Sequence, residues 1–317
     1  MKRKVWTAGA ATLVFLAQGC AAGGSTTPSL ASASTPSFAA STLATGDAAS
    51  GKVSLAALPL DDYYYTTGPK VGWIYTCQQN FGGQGPSTNG PWIDAAANSF
   101  DLLTKSVVEG AVSWASHFSA KVSGATRNVT GNGLPSHATG IYPISASDPA
   151  HQYDMNPNSI ASQSIADAIP ANPKVAATAS CANMGPIGVM LTGAQLYNAL
   201  DALGRDAVAH EVLDKCSGHP DQSGTYHYHS LSSCMKDPGT GHSNLLGYAL
   251  DGFGIYGVRG TNGKALTDAS LDACHGHTHA IVWNGKTVTM YHYHMTYEYP
   301  YSIGCFRGTP VQTGPPG

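Results

Sequence analysis

Residues 224–234 read GTYHYHSLSSC, and residues 289–305 read TMYHYHMTYEYPYSIGC. Each stretch sets Tyr-His-Tyr-His upstream of a cysteine. On an extended strand successive side chains alternate faces. His227 and His229 therefore share one face and Tyr226 and Tyr228 the other, and His292 and His294 behave likewise. The chain holds 13 histidines, and all but His117, His137 and His151 fall between His210 and His294. Imidazoles gathered on one face of a strand point to metal, because neutral histidine is the commonest metal ligand.

Working outward from the two motifs shows a longer correspondence. GVMLTGAQLYN (188–198) aligns with GYALDGFGIYG (247–257), and LDKCSGH (213–219) with LDACHGH (271–277). YHYH and a closing cysteine follow in both cases. The order of parts predicts an internally duplicated unit, 188–234 and 247–305, within a C-terminal half spanning 187–310. Thr192-Gly193 and Asp251-Gly252 are turn dipeptides between apolar runs, which predicts a hairpin in each unit. Apolar residues at helical spacing (Leu200, Leu203, Ala207, Val208, Val212) predict a helix between the first hairpin and Cys216. Two YHYH strands related by a pseudo-twofold axis would bring four imidazoles into one site.

The cysteines fit the same symmetry. Of the seven, Cys216 and Cys234 bracket the first motif, and Cys274 and Cys305 bracket the second. Equivalent positions suggest Cys216–Cys234 and Cys274–Cys305, leaving Cys77–Cys181 to tie the preceding half to the repeat. Upstream, MKRK followed by VWTAGAATLVFLA has the charge and length of an export signal over residues 1–20. Cys20 after Gly19 resembles a lipidation site, and six further cysteines suit an oxidising compartment. The expectation is an exported protein, an outer-membrane lipoprotein in the periplasm or at the cell surface, with a freely secreted form as the alternative. Residues 21–57 are small, polar and Pro-punctuated, the composition of a flexible tether.

Charged residues make up 11 % of the chain, against roughly 25 % in ordinary soluble domains. No basic cluster follows the N-terminus, so nucleic acid is excluded as a partner. Contact with membrane is expected only through a lipid at Cys20. Residues 58–186 carry β pattern, clearest from Val108 to Val122, where small or apolar residues take every second position. The stretch 131–186 is Pro/Asn/Ser-rich and irregular in pattern. The fold expected is mainly β, or β-rich α+β, with antiparallel strands and hairpins, few short helices and three disulfide staples. One compact globular domain should run from 58 to 310.

GLPSHATGIYP, NPNSI, MGPIGVML, GTYHYHSL, HSNLLGYALDGFGIYG and LDACHGHT, in this order, resemble the bacterial YHYH-domain family. The resemblance runs from about Asn132 to Gly308. It implies an exported protein whose fixed features include His137, His227, His229 and Asp251. This chain departs from the commoner pattern in carrying a complete second YHYH.

The metal reading places His227, His229, His292 and His294 first as ligands, then His219 and His277. With all thiols in disulfides, a nitrogen-rich site suits copper, with zinc the alternative. The competing reading is a cell-envelope hydrolase in which Asp251 serves with His137 and His242 as acid and base. No G-x-S-x-G, HExxH or P-loop supports a familiar hydrolase class. A third reading is a non-catalytic surface module that binds through loops such as DDYYYTTG (61–68). HGHTH (275–279) reads equally as a solvated loop or as ligands, and His210 as a packing or surface residue.

Overall fold

A computed structural model describes residues 53–311. The signal segment, Cys20 and most of the tether lie outside the described residues. Val53 and Leu55, at the tether's end, pack against the folded core.

An eight-stranded sheet organises the C-terminal half. Its strands are β1 (Pro186–Met190), β2 (Gln195–Tyr197), β3 (Gly218–Pro220), β4 (Tyr226–Tyr228), β5 (Leu245–Ala249), β6 (Gly254–Tyr256), β7 (Gly276–Trp283) and β8 (Lys286–His294). They lie in the order β3-β4-β2-β1-β5-β6-β8-β7. From the centre outward the pairings are antiparallel, parallel, antiparallel on both sides: β1–β2, β2–β4 and β4–β3, then β5–β6, β6–β8 and β8–β7. The halves meet where β1 and β5 run antiparallel, with Val189 opposite Tyr248, Gly188 opposite Ala249 and Met190 opposite Gly247. Glycine is required on both sides of this seam. A Cβ on Gly188 would lie 2.8 Å from the Tyr248 carbonyl oxygen, and one on Gly247 2.7 Å from that of Val189.

The two hairpins form where the turn dipeptides place them, with Gly193 and Gly252 at φ +96° and +90°, a conformation that costs glycine little. The faces separate as alternation requires. Tyr226, Tyr228, Tyr291 and Tyr293 go to the main core with Ile187, Leu196, Ile255 and Phe253. Val189, Tyr248, Tyr256 and Trp283 instead meet Val129, Ile165 and Ile169. These last three come from a three-stranded antiparallel sheet, Phe118–Ser123, Thr126–Gly131 and Ile165–Pro170. The remaining core is built from the N-terminal part, Leu58, Ile74, Trp92 and Phe100, against Val208 and Val212. Disulfides join Cys77 to Cys181, Cys216 to Cys234 and Cys274 to Cys305.

Three expectations need correction. The two YHYH strands do not meet. Four strands separate β4 from β8, which at about 4.8 Å per step sets them roughly 24 Å apart. One site shared between them is ruled out, because ligand atoms must lie about 2 Å from an ion. The helix expected before Cys216 is confined to Ala207–His210. Asp201 accepts from the backbone N–H of Leu203 and Arg205, and Asp206 from Val208 and Ala209. Such local side-chain bonds hold the backbone in turns in place of a long helix. Finally, only the end of 108–122 joins a ladder. Val108 and Val112 make isolated bridges, to Asp214 and Thr139, so the alternation there marks extended chain lying on the surface of the core.

Candidate metal centres

Each YHYH strand is the floor of its own histidine cluster. In the first, β3 and β4 pair with His219 opposite His227; in the second, β7 and β8 pair with His277 opposite His292. The register is the same, so one imidazole from the edge strand joins two from the YHYH strand in both places. Nε2 of His229 lies 3.1 Å from Nε2 of His227 and 3.3 Å from Nε2 of His219. A carboxylate stands beside the group: Glu211 Oε2 is 3.2 Å from Nε2 of both His219 and His229.

The protonation of these rings follows from their outer nitrogens. A carbonyl only accepts, so an imidazole nitrogen facing one must carry the proton. His227 Nδ1 donates to Thr225 O and His229 Nδ1 to Asn198 O. Their neutral forms thus aim two bare Nε2 lone pairs at each other across 3.1 Å. Such an arrangement repels unless a proton or a metal ion lies between. His219 is less constrained, since its Nδ1 faces Asn156 Nδ2 at 3.5 Å, too long to fix a tautomer. Burial alone would raise the Glu211 carboxyl pKa, but the positive charge that His219 and His229 carry when protonated outweighs it and holds it well below the usual carboxylate range. Lys105, buried and pushed down to about 8 by that burial, donates to the Glu211 backbone carbonyl and fixes that segment.

Four contacts in this group, 3.1 to 3.3 Å, have a geometric meaning. A tetrahedron with metal–ligand bonds of about 2.0–2.1 Å has edges of about 3.3–3.4 Å. The contacts around His229 have that size, and Glu211, which reaches His219 and His229 but not His227, stands at the side of the three-imidazole group.

The second cluster gathers His242, His277, His279, His292 and His294, whose ligating nitrogens all lie within 4.8 Å of one another. Nε2 of His277 and His279 are 3.0 Å apart. His242 Nδ1 donates to Ser243 O, His292 Nδ1 to Met290 O, and His294 Nδ1 to Gly257 O. The Gly257 carbonyl thus plays for His294 the part that Asn198, its aligned counterpart, plays for His229. The Nε2 atoms of His242, His292 and His294 are buried with no hydrogen-bond partner. Buried polar atoms are rarely left so. Burial pushes the ring of His277 down to about 4 and that of His292 to about 3, with neighbouring histidines adding to the shift. His242, His277, His292 and His294, all lowered by burial, present bare nitrogen at neutral pH, the form that ligates metal.

The tyrosines between the histidines serve the opposite face. Tyr226 OH donates to Asp214 and Tyr291 OH to Asp272. Tyr228 OH meets Thr192 and His137, while Tyr293 OH donates to Asp251. Asp251 also accepts from the backbone N–H of Phe253 and Gly308. No histidine is among its hydrogen-bond partners. The trio Asp251, His137 and His242 is therefore dispersed: His137 beside Tyr228, Asp251 beneath Tyr293, and His242 in the second cluster. His137 also lies near Cys216 and Cys234, but those sulfurs are bonded to each other and offer no thiolate.

Sequence reasoning placed His219, His227, His229, His277, His292 and His294 among the ligands, and the structure gathers them in two threes. It passed over Glu211, left His279 in HGHTH open between solvated loop and ligand, and gave His242 another role. His279 had a visible signal, the period of two in HGHTH, which becomes β7 and puts His277 and His279 on one face. Glu211 and His242 arrive from outside the strands, and only the tertiary fold brings them in.

What the fold and site define is a disulfide-stapled β protein with two histidine clusters able to hold metal. Residues 167–270 match the family model described as YHYH protein, so the chain carries a YHYH domain over that stretch. The match takes in the first cluster's histidines and ends before β7 and β8. No curated protein and no solved structure matches the chain.

Proposed function

We propose that this is an exported metal-binding protein with two separate histidine centres, one on each YHYH strand. The observation that carries this reading is the set of inward-facing Nε2 atoms, two of them 3.1 Å apart in the first cluster and three without a hydrogen-bond partner in the second. A fold holds buried lone pairs against one another at a cost, and a bound cation turns that cost into coordination bonds. The carbonyls on the outer nitrogens are the orienting partners usual around metal-bound histidine. Among the described residues all cysteines are in disulfides, which leaves nitrogen and carboxylate donors and makes copper and zinc the candidates. The disulfides also support export to an oxidising compartment, with Cys20 as the proposed lipid anchor. No helix among the described residues is long and apolar enough to cross a membrane.

The test is metal content. Protein stripped with a chelator, reloaded with excess Zn2+ or Cu2+ and desalted is expected to retain two ions per chain. Retention of none, with the fold intact, would remove the reading.

A further inference from the structure

The two centres differ in charge, ligand number and exposure, and these differences assign them different roles. In the first, His219, His227 and His229 are 5 %, 3 % and 3 % exposed, and Glu211 is nearly as covered. Tyr197 stacks on His227 with ring centroids 3.8 Å apart. One carboxylate offsets part of a divalent ion's charge, which matters most where solvent is excluded. Three buried imidazoles with a carboxylate against two of them supply the donor types of a zinc shell.

The second centre has no carboxylate among its clustered donors and has five imidazoles. His292 and His294 form its buried floor, while His242, His277 and His279 are half-buried and make its mouth. His242 comes from the segment before β5, and His279 from the edge strand β7. Five nitrogens exceed a tetrahedral shell but suit the tetragonal coordination of Cu(II), the ion at the top of the divalent affinity order. Ligands at a solvent-facing mouth can leave one at a time, which gives the ion a path in and out.

Resting on the two-centre reading above, we infer that the first centre holds a tetrahedral divalent ion, zinc, as a permanent part of the fold, and that the second takes up and releases copper ions as cargo. Glu211 and the pair His242 and His279 are the residues that make the difference.

The experiment loads the full mature chain with zinc at both centres, adds two equivalents of Cu2+ and follows zinc release with a colorimetric chelator. One zinc per chain is expected to leave quickly and the other at least roughly tenfold more slowly, the scale on which ligand surroundings alter metal affinity. Electron paramagnetic resonance of the newly bound copper should show hyperfine structure from several equatorial nitrogens. In Glu211→Gln the slow phase should accelerate while the fast phase and its copper signal persist. In His242→Ala/His279→Ala the fast-exchanging copper should be lost and the slow zinc kept. Release of both zinc ions in one phase, or equal effects of Glu211→Gln on both phases, overturns the division of roles while leaving two centres standing. Failure to load zinc at all overturns the two-centre reading, and this inference with it.

Discussion

Replacing His227 and His229 together with alanine is expected to remove one metal ion per chain and leave the other bound. The first cluster then keeps only His219 of its three imidazoles, with Glu211 beside it. Structural zinc sites bind with roughly 10–16 kcal/mol, so losing two of the three imidazoles is expected to abolish retention through desalting. The second centre, across four intervening strands, shares no ligand with the first. Distant sites without common partners respond independently. His292→Ala/His294→Ala is accordingly expected to remove the other ion and spare the first. Elemental analysis of the two variants beside the parent should read one, one and two ions per chain. Loss of both ions from either variant, with circular dichroism unchanged, would show that the imidazoles act as one site.

Asp214→Ala is the substitution with the largest expected effect on stability. This carboxylate is 1 % exposed and accepts from the backbone N–H of Gly140, Cys216 and Gly218 as well as from Tyr226 OH. It ties the loop before β3, the first YHYH strand and the 139–140 segment together. Alanine leaves these donors buried and unpaired, at about 1–3 kcal/mol for each that finds no water. A loss of about 3–5 kcal/mol is expected, read as a lower urea midpoint with the disulfides intact. Asp272 does the same for Cys274, Gly276 and Tyr291 but is more exposed, so water replaces it in part. Asp272→Ala should cost less than half as much. Equal costs for the two would contradict this account of Asp214.

Much of this was legible in the residues because it depends on local alternation. Period two in YHYH assigns histidines and tyrosines to opposite faces wherever the strand lies, and the turn dipeptides with Gly193 and Gly252 fix the hairpins. Positions that align in the sequence fall at equivalent places in the two clusters, His219 with His277, His227 with His292 and His229 with His294. The strand order was not legible. Symmetry implied that the two units face each other, but it does not say which strands meet. The glycine seam of Gly188 and Gly247 lets β1 and β5 pair at the centre, which carries both YHYH strands outward. Residues that reach a cluster from elsewhere in the chain were hidden for the same reason. Glu211 sits on a segment whose apolar spacing suggested a helix, while its Asp residues, by capping turns, bend it toward β3 and β4.

The most direct test of two independent centres is anomalous diffraction from a crystal of the metal-loaded protein, recorded at the absorption edge of the bound ion. Two peaks are predicted, roughly 24 Å apart by the strand spacing. One should lie among Nε2 of His219, His227 and His229 with Glu211, the other among the imidazoles of His242, His277, His279, His292 and His294. A single peak bridging the two YHYH strands, or peaks on surface residues alone, would contradict the account.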